Sequence, residues 1–543
     1  MDKTLRLMWG RMWEMHQQAK NILFFSSHST ANTQVKKKQE NIIQHKEPNR
    51  APKSSPAQKI GLLLGPLLFL VILLFVSPDG MSKEAVAVLA STVWIATWWV
   101  TEAVPIPVAS LLPIILFPLT GAVEGDAVMT PYADSIIFLF IGGFMIAIAI
   151  EKWNLHRRIA LSIILMMGTN TERLVLGFIA ATGFLSMWIS NTATAMMMVP
   201  IALAVTSQAK ESMRQDQEKM NNFVKATMLG VMYAASIGGL GTLIGTPANM
   251  VLASTIKNLY GIDLSFFTWM MFAIPLVVVI LSVAWLFLVK VAFPQEVKHL
   301  PSGKAVMEKE KKLLGKPSFE EKLILAVFLF TAFCWVTRTF LLTKWFPTLN
   351  DTIIAIMAGL LLFLLPAKSG QSARLLVWED AKKIPWGILL LFGGGSSIGD
   401  AFQSTGLSKW IGQQMTILDG MNFAIVIVAV IVLVIVLSEF TSNVATSIML
   451  LPVMASLAVA LEVHPYSLLF AAGVATSCAF ILPTAATPNT ITFATGKIKL
   501  WDMMRSGVWM NLFCIVIVTL MVLYFMPIVW DIDMTSLPES MRK

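Results

Sequence analysis

Two nearly identical stretches, Ser190-Asn191-Thr192-Ala193-Thr194 and Ser442-Asn443-Val444-Ala445-Thr446, decide the fold of this 543-residue chain. Each lies in a long apolar run, and a proline, Pro200 or Pro452, follows its serine by ten residues. A Gly-Gly pair lies upstream of each stretch, and a Thr-Pro pair lies downstream. The upstream pairs are Gly142-Gly143 and Gly394-Gly395. The downstream elements are Gly245-Thr246-Pro247-Ala248-Asn249 and Ala486-Thr487-Pro488-Asn489. The matched order predicts that the chain is built from two homologous halves.

The composition around these motifs indicates a membrane protein. Hydrophobic residues make up 56% of the chain and charged residues only 13%. The mean hydropathy is +0.71, which excludes a soluble enzyme. At roughly 20 apolar residues per transmembrane helix, the chain is long enough for about ten or more spans. The sequence therefore predicts an all-α polytopic membrane protein.

The basic charge of the chain sets its orientation and does not indicate a nucleic-acid partner. The net charge of +9 is concentrated in short segments between apolar runs and in the first 59 residues, which carry eleven Lys or Arg against four Asp or Glu. We expect residues 1–59 to be a cytoplasmic basic tail. Within it, residues 5–25 form either an interfacial amphipathic helix or part of a disordered segment. A cleavable signal peptide is not expected, because the first long apolar run begins only at Ile60.

Three apolar runs, 174–207, 421–461 and 466–496, are too long for one span, and each has a polar or Gly/Pro interruption near its middle. The positive-inside rule places the lysines after the first run in the cytoplasm only if residues 174–207 form a re-entrant hairpin that enters from the cytoplasm. The same rule makes residues 421–461 a hairpin that enters from outside. We therefore expect about 11 transmembrane helices plus two re-entrant hairpins in an inverted repeat. The expected halves are 60–315 and 316–530, followed by an extracellular tail at 531–543.

Broken helices in an inverted repeat are typical of secondary transporters, whose binding sites lie where the breaks meet. A non-helical hairpin tip exposes backbone polar groups, and it is stable in a membrane only where it lines a polar cavity or binds ions. Helix N-termini at the tips favour anions. Ser and Asn oxygens together with exposed carbonyls suit a hard cation such as Na⁺. The tips are therefore expected to hold an anion and Na⁺ side by side.

Other readings of single residues stay open. One Ser-Asn-Thr stretch alone is usually a packing or helix-bending element, and only its repetition favours a binding role. Glu102 and Glu439 are carboxylates within apolar runs and are therefore functional candidates. Glu102 lies at an expected cytoplasmic turn, which favours a structural role. Glu439 either tunes a cation site or orients the second hairpin. Cys334, Cys478 and Cys514 support neither a disulfide framework nor a zinc site.

The two Ser-Asn motifs and the two Thr-Pro elements resemble those of the divalent anion/sodium symporter family, and within it the bacterial sodium-coupled C4-dicarboxylate transporters. The resemblance extends from about residue 60 to 530. It implies a homodimer with a scaffold domain and a moving, elevator-type transport domain, and two or more co-transported Na⁺. One departure is Val444, where some bacterial members have a second Ser-Asn-Thr. This difference affects the expected substrate preference but not the class.

The resemblance also implies residue roles. The first Na⁺ site would use Ser186, Ser190, Asn191 and the carbonyl of Gly245, and the second Ser438, Thr441, Asn443 and the carbonyl of Ala486. The substrate contacts would be Ser190, Asn191, Thr192, Thr246, Pro247, Ser442, Asn443, Thr487 and Pro488.

These expectations describe a symporter of the cell membrane, in contact with lipid, that couples inward Na⁺ movement to uptake of succinate, fumarate or malate. Alternatives within the class are a Na⁺-coupled citrate or sulfate symporter and a dicarboxylate exchanger. A passive anion channel is a rival of a different class, although it would not require two occluding hairpins. A membrane-embedded hydrolase is disfavoured, since the sequence has no HExxH motif and no GxSxG motif with partners.

Overall fold

The computed structural model describes residues 55–212, 219–297, 301–370, 372–414 and 421–541. Within these ranges the chain is helical and contains no β-strand, and an isolated β-bridge joins Pro366 and Arg374. The predicted all-α fold is therefore confirmed. The amphipathic helix considered for residues 5–25 lies outside the described residues.

Helices of eight or more residues make up most of the described chain. They are α1 (Pro56–Phe75), α2 (Lys83–Thr101), α3 (Leu112–Leu119), α4 (Ser135–Lys152), α5 (Leu155–Met166), α6 (Thr171–Ser186), α7 (Asn191–Ser212), α8 (Lys219–Gly238), α9 (Pro247–Tyr260), α10 (Phe266–Leu286), α11 (Pro301–Leu313), α12 (Phe319–Thr337), α13 (Asp351–Leu364), α14 (Trp386–Ser404), α15 (Leu407–Gln414), α16 (Phe423–Phe440), α17 (Asn443–Ala460), α18 (Pro465–Ala475), α19 (Thr487–Ala494) and α20 (Leu500–Leu520).

Three of these helices continue through a turn of π-helix, and several short helices connect the rest. The π segments are Phe287–Ala292, Arg338–Leu342 and Met521–Phe525, and the short helices are Ile106–Ala109, Gly125–Met129, Thr130–Ala133, Gly239–Gly241, Thr343–Trp345, Trp378–Ala381, Met526–Trp530 and Glu539–Met541.

Ten helical segments of the described chain are long and apolar enough to cross a membrane. They include α7, α16 and α17, which are arms of the two expected hairpins. Three shorter apolar helices are Ile106–Leu119, Asp351–Leu364 and Pro465–Ala475. Length and composition do not distinguish a full span from a hairpin arm, so the count of 11 spans and two hairpins stays a prediction.

The long apolar runs are broken where the Ser-Asn motifs occur. The first run divides between Ser186 and Asn191, and the second between Phe440 and Asn443. The N–H of Thr194 donates to the Ser190 carbonyl at 3.0 Å, and the N–H of Thr446 donates to the Ser442 carbonyl at 2.9 Å. Each serine is thus the residue at which a new helix begins, as expected for an N-cap. The predicted interruptions of both runs are confirmed.

The two halves follow the same helix order and pack into each other. In each half the two arms of an expected hairpin (α6–α7 or α16–α17) are followed by a single helix (α8 or α18), an irregular segment and a further helix (α9 or α19). Helix α7 of the first half packs on α19 of the second, and α17 of the second half packs on α9 of the first. This exchange brings both hairpin tips and both irregular segments to the same place.

Gly142, the first residue of the upstream Gly-Gly pair, allows close packing of α4 on α13. A Cβ atom at Gly142 would lie 2.5 Å from the carbonyl of Ala355. A larger residue at position 142 would therefore push the two helices apart.

Candidate substrate and cation site

One cavity of about 860 Å³ lies where the two halves meet. It is lined by all nine residues expected to contact substrate, which are Ser190, Asn191, Thr192, Thr246, Pro247, Ser442, Asn443, Thr487 and Pro488. These residues lie far apart in the sequence, and it is the exchange of helices between the halves that brings them together. The nine residues therefore share one cavity, and their contact with substrate stays a prediction.

Four helices begin at the wall of this cavity. Their first residues, Asn191 of α7, Pro247 of α9, Asn443 of α17 and Thr487 of α19, all line it. The first N–H groups of a helix have no acceptor within the helix, and the helix dipole makes this end partly positive. Four such ends around one cavity provide N–H donors and a positive potential for an anion without any basic side chain at the tips.

The ionisable residues of the cavity wall do not belong to the Ser-Asn or Thr-Pro motifs. Among the described residues they are Glu102, Glu151 and Lys383. Glu102 ends α2 in the left-handed backbone region, with φ of 48°, and its N–H donates to the Trp98 carbonyl. This C-cap geometry supports the structural role expected for Glu102.

Lys383 is held near the cavity by an ion-pair cluster. The Asp380 carboxylate lies 2.7 Å from the Lys152 ammonium and 3.6 Å from that of Lys383. Burial acts to raise the pKa of Asp380. Hydrogen bonds from Lys152 and the Val377 N–H, with the charges of both lysines, outweigh burial and lower this pKa. Asp380 therefore stays ionised and fixes the position of both lysines at neutral pH.

The first expected cation site has its side chains assembled. The Ser186 hydroxyl lies 2.8 Å from Asn191 Oδ1 and 2.5 Å from the Ala235 carbonyl, and Ser186 is fully buried. Gly239 approaches Asn191 so closely that a Cβ atom there would collide with Oδ1. Ser190, Asn191 and Gly245 line the cavity, whereas Ser186 lies behind them. Hydroxyl, amide and backbone oxygens at this density suit a hard monovalent cation.

The second expected site leaves two buried oxygens without a hydrogen-bond partner in the described chain. They are the Ser438 hydroxyl and Asn443 Oδ1, at the same five-residue spacing as Ser186 and Asn191. Thr441 is engaged differently, because its hydroxyl lies 2.5 Å from that of Thr446. Buried polar atoms without partners are costly unless a ligand satisfies them. The residues present at this site therefore fit a bound cation.

Two asparagines that the sequence analysis did not single out brace the irregular segments before α9 and α19. Asn249 Nδ2 donates to the carbonyls of Gly239 and Thr242 at 2.9 and 2.7 Å. Asn489 Nδ2 donates to those of Ala479 and Leu482 at 3.1 and 3.0 Å. The acceptors lie ten and seven residues before the asparagine in both halves. Asn249 and Asn489 are therefore structural counterparts.

When the two halves are aligned on these asparagines, the Thr-Pro pair of the second half lies one residue later than that of the first half. The N–H of Asn249 donates to the Thr246 carbonyl and that of Asn489 to the Ala486 carbonyl, so Ala486 is the counterpart of Thr246. The N–H groups of Gly245 and Ala485 likewise donate to carbonyls three residues earlier, those of Thr242 and Leu482. Ala485, which lines the cavity, is thus the counterpart of Gly245. Matching Thr246-Pro247 to Thr487-Pro488 misplaces this register, because the second half has one residue fewer between its proline and its asparagine.

The remaining wall of the cavity is mostly apolar and was not predicted from the sequence. Trp99 of α2, Phe144 of α4 and Ile388 of α14 contribute to it. Nothing in the local sequence around these residues differs from ordinary apolar helix. Only the packing of α2, α4 and α14 around the tips reveals their position.

An all-helical fold with ten candidate spans in the described chain, and a cavity formed by two broken helix pairs, defines a multi-pass membrane transporter. The model of the family described as "Sodium:sulfate symporter transmembrane region" matches residues 57–531, and the chain belongs to this family. The predicted membership in the divalent anion/sodium symporter family and the prediction of a transporter rather than an enzyme are thereby confirmed.

Two similar proteins are named as sodium-dependent dicarboxylate transporters. The sodium-dependent dicarboxylate transporter SdcS of Staphylococcus saprophyticus is 45% identical over 484 residues, which cover 88% of this chain and 93% of that protein. SdcS of Staphylococcus aureus strain USA300 is 45% identical over 487 residues, or 89% of this chain and 94% of that protein.

Solved structures of similar fold are more distant in sequence. The YdaH transporter of Alcanivorax borkumensis superposes with a TM-score of 0.52 at 13% identity, covering 73% of this chain and 86% of that chain. MtrF of Neisseria gonorrhoeae, described as an antimetabolite efflux pump, superposes with a TM-score of 0.50 at 12% identity. The superposition covers 87% of this chain and 95% of that chain. At this identity the likeness concerns the fold alone.

Proposed function

We propose that this protein is a Na⁺-coupled symporter that imports C4 dicarboxylates such as succinate, fumarate and malate. The observation that carries the proposal is the convergence of four helix N-termini on one cavity. This arrangement suits a small dianion. The substrate class is supported by the sodium-dependent dicarboxylate transporters that are 45% identical to the chain.

In the proposed complex, one carboxylate of the substrate lies at each hairpin tip. At the first tip Ser190, Asn191 and Thr192 offer N–H and side-chain donors, with Thr246 and Pro247 opposite. At the second tip Ser442 and Asn443 take this role, with Thr487 and Pro488 opposite. Val444 supplies no hydroxyl, so the two ends of the substrate meet chemically different surroundings.

Coupling to Na⁺ follows from charge. Neither tip contains Lys or Arg, and a dianion in a low-dielectric cavity needs compensating charge. Na⁺ held by Ser186, Ser190 and Asn191 would provide half of it. The other Na⁺ would be held by Ser438 and Asn443 with the carbonyl of Ala485, which replaces Ala486 in our assignment. With two Na⁺ per dianion the cycle is neutral, and each further Na⁺ gains about 2.3 kcal/mol per 100 mV of membrane potential.

Alternating access in this proposal is a rigid movement of the domain that carries both hairpins, in an elevator-like manner, within a homodimer. The protein would lie in the cell membrane with its N-terminus in the cytoplasm and its C-terminus outside. The repeated helix order of the two halves and the resemblance to the symporter family support this part of the proposal.

A Na⁺-coupled sulfate symporter is a second candidate, favoured by the description of the matching family. Citrate symport and dicarboxylate exchange are further variants of the same site, whereas a passive channel would dissipate gradients.

The deciding experiment is uptake of labelled succinate into proteoliposomes under an imposed inward Na⁺ gradient. We expect accumulation against the succinate gradient, with competition by malate and fumarate but not by sulfate. Uptake without Na⁺ that only equilibrates succinate would indicate a channel. Uptake that requires dicarboxylate inside the vesicles would indicate an exchanger, and competition by sulfate alone would assign the second candidate.

A further inference from the structure

Glu439 is a buried carboxylate to which the proposed transport cycle assigns no role. It lies in the last turn of α16, two residues before Thr441, and only 4% of its surface is exposed. Oε1 accepts hydrogen bonds from the N–H of Ile481 at 2.9 Å and from Asn511 Nδ2 at 2.8 Å. Oε2 accepts one from the N–H of Leu482 at 3.0 Å. One carboxylate thus ties the second hairpin to α20 and to the irregular segment before α19.

The clamped segment is the one that presents the Ala485 carbonyl to the cavity. Ala485 follows Leu482 by three residues, and its N–H donates to the Leu482 carbonyl at 3.2 Å. Holding the N–H of Leu482 therefore fixes the turn that ends at Ala485. Asn489 holds the carbonyl of the same Leu482 from the other side, at 3.0 Å. The position of this turn is consequently determined by Glu439 and Asn489 together.

The first half holds the corresponding turn with a neutral group. By the spacing of the motifs Met187 is the counterpart of Glu439, and by the asparagine braces Thr242 is the counterpart of Leu482. The Thr242 hydroxyl donates to the Met187 carbonyl at 2.5 Å. Both halves therefore tie the same turn to the same hairpin arm, but only the second half uses a negative charge.

This charge has no ion-pair partner: among the residues that the structure describes, no Lys, Arg or His lies within 4.0 Å of Glu439. Three N–H donors solvate the carboxylate but do not neutralise it. A buried charge without an opposite charge is strongly disfavoured. A cation bound at the second tip by Ser438 and Asn443, which lie one and four residues from Glu439 in the chain, would compensate it.

We propose that Glu439 is a positioning residue of the second cation site: it fixes the turn that carries the Ala485 carbonyl, and its charge raises the affinity of that site for Na⁺. This inference rests on the proposed function, since it assumes that Na⁺ binds at the second tip. It assigns Glu439 to cation affinity rather than to substrate contact, because the carboxylate faces Ile481, Leu482 and Asn511 instead of the cavity.

The test is the Na⁺ dependence of succinate uptake by the Glu439→Gln variant in proteoliposomes. We expect the Na⁺ concentration for half-maximal uptake to rise about tenfold, because the variant loses the charge and one N–H acceptor. At saturating Na⁺ the half-saturating succinate concentration should change less than about twofold. Thr242→Val is the matched control, because it removes the hydrogen bond to the Met187 carbonyl in the first half without removing a charge. We expect it to change the Na⁺ concentration for half-maximal uptake by no more than about threefold.

Unchanged Na⁺ dependence in Glu439→Gln would overturn the inference, and so would a lower maximal rate and melting temperature at an unchanged Na⁺ half-saturation. Wild-type uptake that ignores Na⁺ would instead overturn the proposed function itself. Asn511→Leu provides a second test in case Glu439→Gln does not fold. It keeps the negative charge of Glu439 and removes one of the hydrogen-bond donors to its carboxylate. It should raise the Na⁺ half-saturation by roughly two- to fivefold, and a wild-type value in this variant would also count against the clamp.

Discussion

Asn249 and Asn489 hold their irregular segments by the same pair of hydrogen bonds, each to carbonyls ten and seven residues earlier in the chain. Both side chains are almost completely buried, with exposed fractions of 1% and 0%. A side-chain amide thus replaces the backbone N–H groups that a continuous helix would offer to these carbonyls. The two asparagines stabilise non-helical backbone at the cavity.

We expect Asn249→Asp and Asn489→Asp to be severe, because each places a carboxylate opposite two carbonyl oxygens in a buried site. Each replacement should abolish uptake and lower the free energy of unfolding by at least about 1–3 kcal/mol per orphaned group. Thermal unfolding in detergent and uptake into proteoliposomes measure the two effects. Asn249→Leu and Asn489→Leu, which lose the donors without adding charge, should be milder. Equal effects of Asp and Leu would show that the charge opposite the carbonyls is unimportant.

Asn191→Ala and Asn443→Ala test the two cation sites. Each removes an amide oxygen at a tip, and in the second case that oxygen has no other partner in the described chain. We expect a higher Na⁺ concentration for half-maximal uptake and nearly abolished transport in both variants. Sodium-dependent uptake and Na⁺-dependent thermal stabilisation are the measurements. A variant with the Na⁺ dependence of the wild type would remove that asparagine from the site.

The pair Thr192 and Val444 tests the asymmetry of the tips, since both residues line the cavity and have nearly the same shape. Thr192→Val deletes a hydroxyl, which should cost about 1–3 kcal/mol of substrate binding. The half-saturating succinate concentration should therefore rise roughly 5- to 150-fold. Val444→Thr adds a hydroxyl, and its half-saturating succinate concentration should stay within a few-fold of the wild-type value. Half-saturation measurements on both single variants decide the matter. A silent Thr192→Val with a severe Val444→Thr would exclude Thr192 from the substrate contacts and make Val444 a packing contact.

We expect the folded protein to lose stability in mild acid because of His464. It caps α18 by accepting the Tyr466 N–H at Nδ1, and burial lowers its pKa from 6.5 to about 4, against the opposing charge of Asp533. The folded protein therefore binds this proton less readily than the unfolded chain. The stabilisation is complete above pH 6.5 and is lost as the pH falls from there toward about 4.

The measurement is the thermal unfolding midpoint in detergent between pH 7.5 and pH 4.5. His464→Asn keeps an N-cap acceptor but does not titrate, so its midpoint should fall less over this interval than that of the wild type. Parallel curves for the two proteins would show that His464 is not the responsible group.

The sequence by itself determined the class of protein and the composition of the site. Apolar length and composition require a polytopic membrane protein, and the repetition of Ser-Asn at 190–191 and 442–443 marks the helix breaks that the structure contains. These features are local: they depend on hydropathy, helix capping and the cost of exposed backbone in a membrane. They were therefore predictable without knowledge of which helices pack together.

Only the tertiary structure decided the register of the second half and the partners of Glu439. A repeated Thr-Pro suggests that Ala486 matches Gly245, whereas the hydrogen bonds of Asn249 and Asn489 make Ala485 the match. The Glu439 carboxylate binds groups 42, 43 and 72 residues away in the chain. Such contacts depend on how α16, α20 and the segment before α19 pack in three dimensions. No periodicity or spacing in the linear chain encodes that packing, because side-chain donors and backbone carbonyls meet only after the helices have assembled.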